Sequence, residues 1–155
     1  MYVILYHMTS TTHSLVAISL ALVIKNPALT LPVCFASNYI LDTIPHWDFG
    51  FGWRQKTKKK ILAEGVLDVV LSYFLVFLIQ RFFFPEVSLL YLFASAFFAQ
   101  LPDWLEVPYL LFNWKSQPFA FFYQIQHILH RRMDLPWGIV SQIIVCLPLL
   151  YLILR

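Results

Sequence analysis

The chain has 155 residues, of which 60% are hydrophobic and only 12% are charged, and its mean hydropathy is +0.71. This balance lies far outside that of ordinary soluble domains, and the apolar residues come in blocks, so the composition predicts an integral membrane protein. About four to six spans would use nearly the whole length, which excludes a separate soluble domain of ordinary size. We therefore expect a single all-α domain over residues 1–155, folded as a polytopic bundle of transmembrane helices.

Two hydrophobic segments follow one another near the start of the chain. The first predicted span runs from about Thr9 to Ile24, with a cap at Thr9 or Ser10. The second runs from about Pro27 to Ile44 and begins with a proline, which is favoured at the first position of a helix. Each is close to the minimum spanning length of about 17 residues, so both are predicted to cross the membrane.

The end of the second span is the first indication of a functional site. Asp42 falls in its last turn, and Pro45 biases the residue before it away from helical geometry. His46 and Asp48 follow on the turn, where their side chains can converge with Asp42. Carboxylates and imidazoles brought together in this way suit a divalent metal ion in a water-accessible pocket. Asp48 can instead be a solvated loop charge.

The densest basic cluster of the chain lies in the loop that follows. It consists of Arg54, Lys56, Lys58, Lys59 and Lys60. The positive-inside rule predicts that this loop is cytoplasmic, where it can lie against anionic lipid head groups. Because the cluster is short and adjoins a span, membrane lipids are the expected partners and nucleic acid is not.

The third and fourth predicted spans add acidic residues. The third runs from about Ile61 to Phe83 and carries Glu64 and Asp68 one turn apart on one face. Carboxylates at membrane depth need a partner, a proton or a bound cation. The fourth runs from about Glu86 to Leu101, and Pro102-Asp103 is predicted to end it as Pro45 ends the second.

A shorter helix is predicted from Pro118 to Arg132. Its length of about 22 Å, at 1.5 Å per residue, is small for a crossing. It carries His127 on a polar face, with His130 beside that face, so we expect a re-entrant or interfacial helix. A last span from about Pro136 to Leu154 gives about five transmembrane helices and one short helix.

This topology gathers the ionisable residues at the inner leaflet. If the short helix does not cross, all five histidines and every acidic residue except Glu86 lie at the inner helix ends. If it does cross, His127 and His130 move to the opposite side and the cluster divides. The residues gathered are His7, His13, Asp42, His46, Asp48, Glu64, Asp68, Asp103, Glu106, His127, His130 and Asp134.

Three short motifs resemble a known family. Thr12-His13-Ser14 at the head of the first span, Leu101-Pro102-Asp103 and the late His130-Arg131 resemble the membrane-bound metal-dependent hydrolases of bacterial inner membranes, the YdjM-like group. That group is distantly similar to the zinc-dependent phospholipase C and P1 nuclease fold, which implies hydrolysis of a phosphoester. The sequence departs from the group where Trp104-Leu105-Glu106 and Arg132-Met133-Asp134 replace segments that usually each carry a further histidine.

The site is therefore predicted to hold one or two divalent ions, with zinc expected and manganese or magnesium as alternatives. A carboxylate would take the proton of the attacking water, and an arginine would clamp a phosphate. The expected substrate is an amphiphile, either a phospholipid or a polyprenyl phosphate, at the cytoplasmic leaflet of an inner membrane. The predicted metal ligands are His7, His13, Asp42, His46, Asp68, Asp103, His127 and His130, and the predicted catalytic residues are Glu64, Glu106, Arg131 and Arg132.

Two classes other than a hydrolase remain open at this point. Intramembrane acids and histidines also line ion or proton pathways, but a transporter would spread them through the membrane depth and to both faces. A small membrane scaffold would use its polar residues only to bind one another. Several candidates also have plainer interpretations. His7 can be a surface histidine near a free terminus, His127 and His130 can bind lipid head groups, and Glu106 and Asp134 can be solvated loop charges or caps.

Overall fold

The protein is all-helical. A computed structural model describes residues 8–48 and 56–155, and six helices lie in this part of the chain. They are α1 Ser10–Ile24, α2 Pro27–Asp42, α3 Lys58–Phe83, α4 Leu89–Phe112, α5 Phe119–Leu129 and α6 Trp137–Leu154.

The first two helices have the end signals that their sequence predicts. The side chain of Thr9 accepts a hydrogen bond from the backbone N–H of Thr12 and caps α1. Lys25 ends that helix in the left-handed conformation, with φ of 56°. The side chain of Asn26 then accepts from the N–H of Ala28, so α2 begins at Pro27 directly after the turn.

Two helices form the centre of the bundle. α1 packs against α2, α3, α4 and α6, and α4 packs against α1, α2, α3 and α5. The contact between α1, α2 and α4 is made by Ala17, Cys34 and Ala99, all completely buried. Small side chains such as these let helix backbones approach closely. The two cysteines of the chain, Cys34 and Cys146, are free and buried, so both are small core side chains.

The prediction of five transmembrane helices is wrong. Among the described residues, only Leu62–Phe83 and Trp137–Leu154 are long and apolar enough to cross a membrane. α1 and α2 have 15 and 16 residues, so they measure only about 22 to 24 Å against a hydrocarbon core of about 30 Å. α4 has 24 residues, but polar side chains and two prolines in its C-terminal half lower its hydropathy.

The predicted stop of the fourth span at Leu101 is also wrong, because α4 continues through Pro102 to Phe112. A proline inside a helix removes one backbone donor and loosens the hydrogen-bond ladder. The carbonyl that Pro102 leaves without its helical donor is that of Phe98. At the next residue, the side chain of Asn38 on the neighbouring helix α2 donates to the carbonyl of Ala99 at 2.8 Å and supports the helix where its ladder is loosened. The continuous helix places the acidic residues at positions 103 and 106 one turn apart.

The two long apolar helices have few buried side chains. Only 17% of the apolar window in each is buried inside the bundle. On α3, for example, Val70 and Phe74 are more than half exposed, and on α6 so are Ile144 and Leu147. The helix predicted to be too short to cross is α5, which has 11 residues.

Candidate metal centre

The loop after α2 and the loop after α5 are joined through their backbones. The N–H of His46 donates to the carbonyl of Arg131 at 3.2 Å, and the N–H of Met133 donates to the carbonyl of His46 at 2.9 Å. A parallel bridge between His46 and Arg132 accompanies these bonds. This pairing holds the rings of His46 and His130 with their centroids 4.6 Å apart.

The first set of candidate ligands, which we call the histidine-rich group, consists of Asp42, His46 and His130. One ligand atom from each lies within 4.8 Å of the others. Asp42 is the last residue of α2, and His46 and His130 come from the two paired loops. Nε2 of His46 lies 3.9 Å from Oδ1 of Asp42. These residues were predicted as ligands, and the structure brings them together.

His46 is oriented as a ligand would be. Its Nδ1 lies 2.7 Å from the carbonyl of Ile44, and because a carbonyl only accepts, Nδ1 must carry the proton. Nε2 therefore presents a lone pair, and it has no hydrogen-bond partner among the described residues. Burial, together with the nearby His130, lowers the pKa of His46 to about 4. The ring is consequently neutral at pH 7, which is the form that binds metal.

The second set, which we call the acidic group, consists of His13, Asp42 and Asp103. All three are buried, and one ligand atom from each lies within 4.8 Å of the others. Nε2 of His13 lies 3.5 Å from Oδ1 of Asp42 and 3.9 Å from Oδ2 of Asp103. The group is built from three helices, since these residues belong to α1, α2 and α4. It joins residues that are far apart in sequence.

Asp42 belongs to both groups and lies between them. Its Oδ1 accepts a hydrogen bond from the backbone N–H of Met8 at 3.1 Å and faces both His13 and His46. Its side chain is completely buried. A buried carboxylate is costly unless paired or bound to a cation. Asp42 is thus placed to bridge two ions or to serve one.

Two buried amides orient the second carboxylate of the acidic group. Gln126 on α5 donates from Nε2 to Oδ1 of Asp103 at 2.7 Å, and Asn38 on α2 donates from Nδ2 to the same oxygen at 3.0 Å. Gln126 also donates to Oδ1 of Asn38. With Oδ1 occupied in this way, Oδ2 of Asp103 is turned toward His13. Bonds of this kind fix the orientation of metal-binding carboxylates.

The arrangement fits a divalent metal ion. With bonds of about 2.0 to 2.2 Å, neighbouring donors around such an ion lie roughly 3 to 4 Å apart. The donor pairs His13–Asp42, His13–Asp103 and His46–Asp42 lie 3.5, 3.9 and 3.9 Å apart. The buried lone pair of His46 next to a carboxylate oxygen would also be unfavourable unless a cation lay between them. The residues present therefore fit a metal ion by distance and by chemistry.

Asp48 is not a solvated loop charge. Its side chain is only 3% exposed, with Oδ2 lying 3.5 Å from Nε2 of His130 and 3.6 Å from Nε of Arg132. Neither oxygen has a hydrogen-bond partner among the described residues, and Asp48 interacts with His130 and Arg132 through these two ion pairs. A carboxylate beside a metal-binding imidazole fixes the ring and raises its basicity. Asp48 therefore supports His130, and it also places Arg132 near the centre.

Further groups of interest lie beside the acidic group. Glu106 is 3% exposed and follows Asp103 by one turn on α4. Burial, with the charges of Asp103, Asp42 and Glu106, raises the pKa of Tyr39 to about 12. Its phenol is therefore protonated at neutral pH and can donate a hydrogen bond to an anion.

Several predicted site residues lie outside the two groups. Both oxygens of Asp68 accept hydrogen bonds at the start of α1, from the N–H of Ser10 at 2.6 Å and the hydroxyl of Thr11 at 3.2 Å. Glu64 pairs with Lys56 at 2.7 Å. The side chains of His127 and Arg131 are exposed, and the ring of His127 stacks on Tyr123. His7 lies outside the described residues.

Sequence reasoning missed the amides of the site. Asn38 precedes Asp42 by one helical turn, and Gln126 precedes His130 by four residues. A polar side chain one turn from a predicted ligand, within an apolar helix, was the available signal. The sequence does not distinguish Gln126 from its neighbour His127, whose imidazole is the more common metal ligand. The helix buries Gln126 and exposes His127.

No family model, curated protein or solved structure matches this chain. The resemblance to the membrane-bound hydrolase group therefore stays a prediction that rests on its motifs. Each motif contributes one residue to the candidate centre, namely His13, Asp103 and His130. The chemistry of these residues is therefore the basis for a functional proposal.

Proposed function

We propose that the protein is a metal-dependent hydrolase, in which the histidine-rich group and the acidic group would hold one or two divalent ions, zinc first among them. The observation that carries this proposal is the sharing of Asp42 by the histidine-rich group and the acidic group. Each group offers three protein donors of mixed imidazole and carboxylate type, the number and type found in catalytic zinc sites. Manganese or magnesium would be poorer matches, because they prefer oxygen donors to imidazoles.

The chemistry follows from the charges that surround the two groups. A bound divalent ion supplies Lewis acidity toward water and toward a phosphoryl oxygen. Glu106, buried one turn from Asp103, takes the proton of the attacking water. Arg132, which Asp48 draws toward the centre, binds the phosphate. Arg131 is exposed on the same loop and is available to the head group of a larger substrate.

We further propose that the protein is held in a membrane by α3 and α6. Supporting this, each helix has a long apolar window that is only 17% buried, whereas the core helix of a soluble protein is mostly buried. Lipid acyl chains would cover these side chains without cost, while water would not. Lys58, Lys59 and Lys60 begin α3, and Lys56 lies just before it; these charges favour a cytoplasmic position for that end.

A membrane position would limit the expected substrates to molecules that lie in a membrane. The candidate centre is formed where α2 and α5 end and where α1 begins, so it lies at one end of the bundle. The aromatic side chains of Trp104, Phe121 and Trp137 are exposed. Exposed aromatic side chains are typical of the membrane interface. We propose that the substrate is an amphiphilic phosphoester, either a phospholipid or a polyprenyl phosphate, whose phosphate reaches Arg132.

The test is metal content and hydrolysis measured on the same sample. The full chain, purified in detergent, is analysed for elements before and after chelation and assayed for phosphate release from vesicles containing phosphatidic acid or a polyprenyl diphosphate. We expect bound zinc, loss of activity on chelation and its return when zinc is added. Folded protein that contains no divalent metal and takes up no added zinc would overturn the proposal.

A further inference from the structure

We infer that Gln142, on α6, is a positioning residue that sets the spacing between the two metal-binding groups. The inference rests on the proposed metal centre but concerns a residue that is not a ligand. Gln142 is 5% exposed and lies just over one turn into α6. Its amide links three separate parts of the chain.

The acceptor side of the amide holds the start of α1. Oε1 of Gln142 accepts hydrogen bonds from the hydroxyls of Thr9 and Thr12, each at 2.7 Å. Thr9 is the N-cap of α1, and Thr12 directly precedes His13. The position of His13 along the bundle is therefore tied to α6 through the amide oxygen.

The donor side of the amide holds the loop after α2. Nε2 of Gln142 donates to the carbonyl of Trp47 at 2.8 Å and to the carbonyl of Gly138 at 3.0 Å. Trp47 lies between His46 and Asp48, so this bond fixes the segment that carries the histidine-rich group. An amide with both its oxygen and its nitrogen in use has little freedom to reorient.

The first turn of α6 is shaped to receive that loop. The hydroxyl of Ser141 donates to the carbonyl of Pro45 at 2.7 Å, and the N–H of Trp47 donates to the carbonyl of Gly138 at 3.2 Å. A Cβ at Gly138 would meet the backbone nitrogen of Trp47 at 2.5 Å, so only glycine permits this approach. The loop is thus held on α6 by backbone and side-chain contacts, and the side chain of Gln142 also reaches α1.

These contacts give Gln142 a defined role. His13 belongs to the acidic group and His46 to the histidine-rich group, and they face the same carboxylate, Asp42. A change at Gln142 would let the α1 end and the loop move independently, so both donor distances to Asp42 would vary. Removing a side chain that hydrogen-bonds a metal ligand directly typically changes metal affinity by about 10- to 100-fold. Gln142 bonds the neighbours of two ligands at once, and we expect a loss in the same range.

The experiment compares metal affinity in variants of the full chain in detergent. Gln142→Met keeps the volume and removes all four bonds, while Gln142→Glu keeps the acceptor for Thr9 and Thr12 but loses the donor to Trp47. The matched control is Gln124→Met, which changes an exposed glutamine on α5. Zinc affinity is measured by competition with a chromogenic chelator, and the visible spectrum of the cobalt-loaded protein reports the ligand geometry.

We expect Gln142→Met to bind zinc about 10- to 100-fold more weakly than the wild type, with an altered cobalt spectrum, and Gln124→Met to match the wild type. Unchanged affinity and spectrum in Gln142→Met, even with a lower melting temperature, would show a structural role only and overturn the inference. If Gln142→Met does not fold, the same comparison is made with Gln142→Glu and with Thr12→Val, which removes the hydroxyl that donates to Oε1 of Gln142 and lies 2.9 Å from the hydroxyl of Thr9. A wild type without zinc affinity would instead overturn the proposed function, and the inference with it.

Discussion

Oδ1 of Asp42 lies 3.5 Å from Nε2 of His13, and both side chains are completely buried. A divalent cation held between these two donors would offset the cost of burying the carboxylate. We therefore expect Asp42→Asn to retain the fold, since the amide keeps the size and can still accept from Met8, while metal affinity falls more than about 100-fold, beyond the usual effect of an outer partner. Elemental analysis of folded, detergent-purified protein measures this.

The control for that change is Asp134→Asn, which removes an exposed carboxylate in the loop between α5 and α6. It should leave metal content as in the wild type. If Asp42 were only a buried polar residue, Asp42→Asn would bind as much metal as the wild type and be equally or more stable, because a neutral amide is cheaper to bury than a carboxylate. That result would remove the residue common to both groups.

The histidines should divide into two classes. His46→Ala removes a buried ring whose Nε2 faces Asp42 at 3.9 Å, so we expect a large loss of zinc affinity. His127→Ala removes an exposed ring that stacks on Tyr123 and should leave zinc affinity within about twofold, as surface substitutions usually change little. Titration with zinc against a competing chelator distinguishes the two. Equal losses in both variants would restore His127 to the ligand set that the sequence predicts.

The residues of the two candidate groups could be predicted from the sequence more fully than the topology could. Asp42, His46 and His130 could be predicted because a helix stop, a proline and a histidine motif are local signals. The full length of the fourth helix could not be predicted, because Pro102 indicates a helix end when the neighbouring helices are unknown. The stabilising donor, Asn38, comes from another helix and is more than 60 residues away in sequence. Local sequence patterns do not reveal tertiary contacts of this kind.

The number of spans was overestimated for a related reason. Apolar segments of about 15 residues satisfy a composition test, but α1 is largely buried between other helices instead of facing lipid. Its apolar residues serve protein packing, and among the described helices only α3 and α6 are long and apolar enough to cross a membrane. The burial of Asp48 was likewise not predictable, since it depends on the pairing of two loops that are about 85 residues apart along the chain.

Asp68 provides a test that separates stability from metal binding. Its carboxylate is 7% exposed and accepts from the N–H of Ser10 and the hydroxyl of Thr11 at the start of α1. We expect Asp68→Ala to lower the free energy of unfolding by about 1 to 2 kcal/mol, as the loss of a helix cap does. Zinc affinity should fall much less than in Asp42→Asn. Loss of zinc without loss of stability would instead support the predicted role of Asp68 as a ligand.

The membrane position of α3 can be tested by a charge at its middle. Phe74 is 56% exposed near the centre of the apolar window, and Phe82 is 73% exposed near its end. In a bilayer, Phe74→Lys should cost about 2.5 to 3.5 kcal/mol of insertion free energy, whereas the ammonium of Phe82→Lys can reach the interface with little cost. We therefore expect alkaline extraction of membranes to release Phe74→Lys, or its level to fall, while Phe82→Lys and the wild type stay in the pellet. If α3 faces water, both lysines should be harmless and the wild type should already be in the supernatant.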